Sequence, residues 1–133
     1  MKYLFLLQTA DDGPPVVGTP AAAQMYADYQ VALHQMARAG VLLECAPLQG
    51  ASVATTVRVR EGRVTWTDGP AAELREQVGG YTLVDCVDLD QALHFAAMLP
   101  AARAGSVEVR AVVDTGGSAQ ATADDVPAPE VVS

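Results

Sequence analysis

The chain has 133 residues, half of them hydrophobic and 18% charged, and its 16 acidic against 8 basic side chains give a net charge of -8. A chain of this length forms one domain around one core. So acidic a chain is repelled by phosphate backbones, which excludes nucleic acid as an expected partner. The high apolar and low charged content favours a homo-oligomer, because a small monomer needs more polar groups to cover its surface.

Neither the start of the chain nor its cysteines indicate export or a membrane. The opening MKYLFLLQT has one lysine and a short apolar run, and polar and acidic residues follow it where a signal peptide would have its cleavage site. No apolar stretch reaches the roughly 20 residues of a membrane span. Cys45 and Cys86 lack CxxC or metal-ligand spacing. We therefore expect two buried, reduced thiols in a cytoplasmic protein.

The first part of the chain predicts a strand, a helix and a second strand. Residues 2–8 form an apolar run of strand length. Thr19 and Pro20 are typical of a helix start, and Gly40 is typical of a helix end. The second strand carries Glu44, which either lies exposed at a sheet edge or points into a pocket. Apolar residues recur along the helix at spacings of three and four, and we expect them to be core. These are Met25, Tyr26, Tyr29, Leu33, Met36 and Ala37.

Residues 55–67, TTVRVREGRVTWT, predict a β-hairpin. Apolar and polar residues alternate on both sides of Glu61 and Gly62, which are typical of a primed two-residue turn. This register places Asp68 opposite Thr55 on the apolar face. The apolar face comprises Val57, Val59, Val64 and Trp66. The opposite face is basic, and is either a solvated or partner-facing surface or an anion-binding site. It carries Arg58, Arg60 and Arg63.

The second part of the chain predicts a DGP turn, a short helix over 71–77 and a strand over 78–87. Asp88 and Gln91 form a capping box for a further helix, and 107–113 alternates like a last strand. The order strand, helix, strand, hairpin, strand, helix, strand predicts an α+β fold. We expect a ferredoxin-like antiparallel sheet with two helices on one face and an inserted β-hairpin.

The composition divides the chain into a folded domain, residues 1–114, and an acidic low-complexity tail, residues 115–133. Small, polar and proline-spaced composition is typical of disorder. We nevertheless expect the tail to pack against another subunit or a neighbouring molecule.

The candidate site lies in the stretch TDGPAAELREQVGGY, residues 67–81. The sequence contains no phosphate-binding glycine loop, zinc-protease motif, nucleophile elbow or Cys/His cluster, so neither a metal nor a cofactor is predicted. His34 and His94 are expected at the surface. A carboxylate near an arginine at a sheet end can act as a general base or orient a ligand, or these residues can be a turn and a solvated segment. The candidates are Asp68 as the catalytic carboxylate, Glu73, Arg75 and Tyr81 as ligand-binding residues, and Glu76 beside them.

The same stretch resembles the signature of the YCII-related proteins of the DGPF group. The opening KYLFLLQ, the TTVRVREG hairpin, the DLDQAL helix start and the GSVEVR strand are also similar to that family, and the resemblance runs from about residue 2 to residue 113. It implies a dimeric α+β barrel of ferredoxin-like subunits, each with a cleft, and mostly unassigned function. It also implies a genetic association with extracytoplasmic-function sigma factors.

Four departures from the family pattern bear on function. Ala71 stands where the group has Phe, and Leu74 replaces a small polar residue. Arg75 replaces Lys, which keeps the charge but changes the donor geometry. A histidine and an aspartate that are proposed as a catalytic pair in the wider family correspond to Tyr29 and Arg38. That pair is absent from this chain.

Two hypotheses follow. In the first, the protein is a homodimer that binds an unknown small molecule in a cleft between sheet and helices, with the candidate residues at its mouth and Asp68 as acid/base catalyst. In the second, it is a non-catalytic regulatory module that binds a protein such as a sigma factor. The intact DGP turn and GGY favour the first hypothesis, and the absent histidine and aspartate favour the second.

Overall fold

The computed structural model describes residues 1–10 and 17–115, and the predicted tail with its packing lies outside them. Its secondary-structure elements are β1 (Lys2–Ala10), α1 (Pro20–Arg38), β2 (Leu42–Pro47), a 3-10 turn (Ala51–Val53), β3 (Thr55–Arg60), β4 (Arg63–Asp68), β5 (Glu76–Asp85), α2 (Leu89–Ala96), α3 (Ala101–Ala104) and β6 (Ser106–Ala111). No helix among these residues is long and apolar enough to cross a membrane.

Four strands form an antiparallel sheet in the order β2-β5-β1-β6, and β3 and β4 form a separate two-stranded sheet. Without the hairpin, this is the strand order of the ferredoxin-like fold. The predicted α+β class is confirmed, as are the helices on one face of the sheet and the inserted hairpin. β5 and β1 occupy the centre, so both faces of these two strands must be packed or polar.

The core lies between one face of the sheet and the helices. Phe5, Val84 and Met36 are fully buried there, and each such side chain contributes roughly 1.5–3 kcal/mol through loss of its contact with water. α2 and α3 complete this layer with small and apolar residues. They contribute Ala92, Phe95, Ala96 and Ala101, with Leu99 between the two helices.

The helix ends follow the local signals in the sequence. The side chain of Thr19 accepts a hydrogen bond from the backbone N–H of Ala22 at 3.3 Å, and Gly40 follows α1 with a φ of +75°. At α2, the side chain of Asp88 accepts from the N–H of Gln91 at 2.8 Å. The side chain of Gln91 accepts from the N–H of Val87 at 2.8 Å. Both predicted helix starts are confirmed. The sequence can predict them since a cap depends on residues only a few positions apart.

The hairpin has the predicted register throughout, from Arg60 opposite Arg63 to Thr55 opposite Asp68. Glu61 and Gly62 both have positive φ, at 51° and 76°, as a primed turn requires. All four apolar side chains of the hairpin are more than half exposed.

The predicted short helix over 71–77 is wrong. Residues 71–75 are irregular, and β5 begins at Glu76, two residues before the predicted strand. The side-chain amide of Gln77 donates to the carbonyl oxygens of Ala72 and Leu74, each at 3.2 Å. These two carbonyls therefore bond a side chain instead of the helical N–H groups four residues on.

We expect Gly105→Ala to destabilise the fold by about 1–3 kcal/mol, as overpacking of a tight contact does. A Cβ at Gly105, which joins α3 to β6, would collide with the carbonyl oxygen of Gln8. Gly50→Ala is the control, since its Cβ would have Ser52 Oγ as its nearest neighbour, at 3.9 Å. Urea unfolding of both variants measures the difference, and equal midpoints would contradict the close contact.

Candidate functional site

A cavity of about 1080 Å³ lies between α1 and the sheet, at the end where β2 and β5 meet the 3-10 turn. The sheet supplies its floor, α1 supplies one wall, and residues 50–52 supply another. The first hypothesis placed a cleft between sheet and helices, and the structure has one in that position.

The α1 wall uses the first half of the stripe that was predicted to be core. Met25, Tyr26, Tyr29 and Leu33 line the cavity, and Tyr26 is 67% exposed. Met36, two turns further on, is fully buried in the core. The core prediction is confirmed for Met36, and Tyr29 and Leu33 pack against the edge of the core. It is wrong for Met25 and Tyr26, which lie outside the core cluster, and for Ala37, which is exposed. The sheet opposite the first half of the stripe offers glycine and threonine, so Met25 and Tyr26 have little to pack against.

The glycine pair of the GGY motif shapes the floor. Leu7 pairs with Gly80 and Gln8 pairs with Val78, which leaves Gly79 as the extra residue of a β-bulge. A Cβ on Gly80 would lie 3.0 Å from the carbonyl oxygen of Ala46 on β2. A side chain at Gly80 would therefore press against β2. The two glycines kink β5 and keep the floor open.

The cavity has a few polar groups on its apolar surface. Thr82, on β5, is 1% exposed and lines the floor directly opposite Cys45 of β2. Cys86 is buried as predicted, but Cys45 is exposed, which corrects the prediction that both thiols are buried. β2 is an edge strand, and the cavity lies over the face on which Cys45 stands. Burial also raises the pKa of the Cys86 thiol, with a smaller contribution from Asp85.

Tyr29, which the family resemblance aligns with the proposed catalytic histidine, lines the cavity. Burial raises the pKa of its phenol, and a backbone hydrogen bond from Ala101 offsets part of this effect. The phenol is therefore neutral near pH 7, where it can donate a hydrogen bond but is a poor general base. Arg38, which the resemblance aligns with the family aspartate, is about 14 Å further along the helix at 1.5 Å per residue. Arg38 is exposed and does not line the cavity.

The structure places Asp68, Glu73 and Arg75 outside the cavity lining. All three are exposed, and the carboxylate of Asp68 makes no hydrogen bond or ion pair with another described residue. The turn beside Asp68 is held by the backbone of Gly69. Its N–H donates to the carbonyl of Ala54 at 2.7 Å, and its carbonyl accepts from the hydroxyl of Thr56 at 2.8 Å.

Tyr81 borders the cavity, but its hydroxyl points elsewhere. It donates to Glu44 Oε1 at 2.8 Å, on the sheet face that is turned away from the helices. This hydrogen bond is the main reason that the pKa of Tyr81 is raised. Glu44 is therefore an exposed edge residue, one of the two alternatives that the sequence left open. Glu76 also bonds outside the cavity, where it accepts from the hydroxyl of Ser106 at 2.6 Å.

The basic face of the hairpin holds no ion pair with the described part of the chain. Arg58 donates to the carbonyl of Ala71 at 3.4 Å, and Arg60 donates to the carbonyl of Val59 at 3.0 Å. His34 and His94 are exposed as predicted. Within residues 1–10 and 17–115, no three His, Cys, Asp or Glu side chains are grouped to hold a metal ion.

The sequence reasoning missed Cys45 and Thr82 as cavity residues. Their signal was the glycine pair two positions before Thr82, since glycine within a strand indicates a bulge or a close approach of another backbone. The glycine pair locates the cavity floor on β5 but does not reveal which strand pairs with β5 there. Cys45 therefore could not be placed from the sequence.

These features define a small α+β domain of ferredoxin-like topology with a largely apolar cavity between its first helix and its sheet. The chain belongs to the YCII-related family, whose sequence profile matches residues 1–115. This confirms the resemblance to that family, while membership of the DGPF group stays a prediction.

The chain is similar to two further proteins. It is 40% identical over 85 residues to the uncharacterized protein R00369 of Rhizobium meliloti (strain 1021). The aligned residues cover 62% of this chain and 68% of that protein. Among solved structures it is similar to the 5-chloro-2-hydroxyhydroquinone dehydrochlorinase TftG from Burkholderia phenoliruptrix AC1100, in complex with 2,5-dihydroxybenzoquinone. That similarity has a TM-score of 0.44 and 16% identity, and it covers 85% of this chain and 94% of that chain.

We expect a bulky disulfide reagent to modify one thiol per native chain. Cys45 is exposed at the cavity, whereas Cys86 is 2% exposed and burial keeps its thiol protonated. Absorbance of the released thiolate counts the modified groups. Cys45→Ser should abolish the reaction and Cys86→Ser should leave it intact. Modification of two thiols at the same rate would contradict this placement.

Proposed function

We propose that the protein binds a small organic molecule in the cavity between α1 and the sheet, and that it does so as a homodimer. The cavity carries the first part of this proposal. Its volume of about 1080 Å³ is close to the upper limit of roughly 1,000 Å³ for small-molecule sites, and such sites are mostly apolar with a few polar groups, as here. Neither the description of the family nor the name of the relative states an activity that could be proposed for this chain.

The proposal is one of binding, and catalysis is a separate question. Asp68 lies outside the cavity lining, so a ligand held there does not contact the carboxylate that was predicted as acid/base catalyst. Tyr29 lines the cavity, but its phenol oxygen has a backbone hydrogen bond with Ala101, which does not line it. The role of Asp68 stays a prediction, as do those of Glu73, Arg75 and Tyr81.

A thermal-shift screen against a library of small organic molecules tests the cavity, because a ligand of the native state raises the melting temperature by mass action. We expect Ala23→Trp to abolish the shift, since Ala23 lines the cavity and an indole would fill part of it. Ala27→Trp is the matched control. Ala27 is an exposed alanine of the same helix that does not line the cavity. Compounds that stabilise both variants equally would show that the ligand binds elsewhere.

The exposed apolar face of the hairpin supports the homodimer. Its four apolar side chains are exposed, with Val57 at 55% and Trp66 at 70%. An isolated two-stranded hairpin is marginally stable in water and needs a surface to pack against. The sheet face opposite the helices offers a second apolar surface, on which Leu4, Leu6 and Leu83 are half-buried. Exposed apolar surface such as that of the hairpin marks a protein interface.

Trp66 is the single tryptophan of the chain, so its fluorescence reports on the hairpin alone. We expect twice the monomer mass by sedimentation, and a red shift of the emission when dilution separates the subunits. Trp66→Ser should weaken the dimer at least about tenfold, as the loss of a buried aromatic at an interface does. Thr65→Ser, on the opposite face, should leave it unchanged. A wild type that sediments as a monomer would exclude this arrangement.

The second candidate is a regulatory module that binds another protein, such as a sigma factor. The exposed apolar hairpin face favours it as well, because that surface would serve a foreign partner as readily as a second copy. A monomeric wild type that binds a purified sigma factor, with binding lost in Trp66→Ser and kept in Thr65→Ser, would establish it. A cytoplasmic location also stays a prediction.

A further inference from the structure

The hydroxyl of Thr82 is a polar group without a partner at the cavity floor. Thr82 is 1% exposed, and its hydroxyl makes no hydrogen bond with another described residue. Every described side-chain oxygen or nitrogen that is sealed from solvent does have a partner. The Thr82 oxygen must therefore border open space, and the space that Thr82 lines is the cavity.

The neighbours of Thr82 leave its hydroxyl available for a ligand. Across the sheet it lies beside Phe5 of β1 and Cys45 of β2, on the same face as both. Phe5 is fully buried and offers no polar atom. A buried hydroxyl without a hydrogen bond is unfavourable unless another group supplies one. Since a hydroxyl can both donate and accept, a ligand hydroxyl or carbonyl would satisfy it equally well.

The charge of the lining limits the ligand further. No described residue that lines the cavity is Asp, Glu, Lys, Arg or His, although the chain as a whole is strongly acidic. An ionised group that lost its hydration at the floor would meet no counter-charge from the described lining residues, which is unfavourable. This argues against carboxylates, phosphates and ammonium groups at the floor.

We propose that the cavity takes an uncharged, largely apolar molecule that carries a hydroxyl or carbonyl group, and that Thr82 determines specificity by hydrogen bonding to that group. This inference rests on the proposed function and adds a ligand class to it. Shape and apolar contact with the α1 wall supply most of the affinity, and the Thr82 hydroxyl selects among molecules of similar shape.

Three probes of one size test the proposal: 2-naphthol, 2-methylnaphthalene and 2-naphthoate, titrated calorimetrically at pH 7. We expect 2-naphthol to bind about three- to tenfold more tightly than 2-methylnaphthalene, the ratio that one net hydrogen bond supplies. The anionic 2-naphthoate should not bind detectably. Thr82→Val should remove the preference for 2-naphthol, and Thr82→Ser, which keeps a hydroxyl, should retain it.

The stability of the variants checks the premise without any ligand. Thr82→Val should melt no lower than the wild type, because it removes a hydroxyl without a partner from the fold. A clear fall in melting temperature that Thr82→Ser does not share would show that the hydroxyl bonds within the fold, and would overturn the proposal.

The binding outcomes separate this inference from the proposed function. Equal binding of 2-naphthol and 2-methylnaphthalene, lost in Ala23→Trp, would overturn the role of Thr82 and leave the cavity site standing. Binding of 2-naphthoate as tight as that of 2-naphthol would overturn the restriction to uncharged ligands. Probe binding that is unchanged in Ala23→Trp would remove the cavity site and this inference together.

Discussion

The close approach of the β5 backbone to β2 at Gly80 is the constraint on which the cavity depends. The space for a Cβ at Gly80 ends 3.0 Å from a carbonyl oxygen of the neighbouring strand, and Gly79 bulges from the pairing with β1. Because neither residue has a side chain, the inner face of a central strand is bare at this end. The cavity above it therefore depends on the backbone at the two glycines as well as on the lining side chains. This gives the GGY motif a structural role. It keeps a floor open beneath α1.

α1 divides its apolar face between two tasks. Its second half packs Met36 into the core, where apolar burial stabilises the fold. Its first half lines the cavity, and there Tyr29 and Leu33 also pack against the edge of the core. A single amphipathic helix thus joins the core to the proposed binding site. The contacts of Tyr29 and Leu33 with the core hold the cavity wall in place.

The charged and polar residues that the sequence suggested as site candidates lie on the outer surface. The hairpin holds three of the eight basic residues of an otherwise acidic chain, and its apolar face is exposed. Asp68 stands at its base, away from the cavity. Glu44 and Tyr81 bond each other on the face of the sheet opposite the helices. The proposed ligand site and the proposed interface therefore lie in different parts of the same small domain, so a binding role and a partner-recognition role are compatible.

The helix caps, the full hairpin register, the α+β class and the family could all be predicted from the sequence, because each depends on residues close together in the chain or on the order of such segments. The sequence reasoning misplaced residues 71–77, where side-chain bonds from Gln77 replace helical ones, and it placed Cys45 and the start of the α1 stripe in the core. The tertiary structure alone decided the cavity, since its helix wall, its glycine floor and Thr82 come from segments far apart in sequence. The hydrophobic periodicity of a segment predicts which side chains are buried. The size of the space between the helix and the sheet depends on the residues of both layers, which one segment does not reveal.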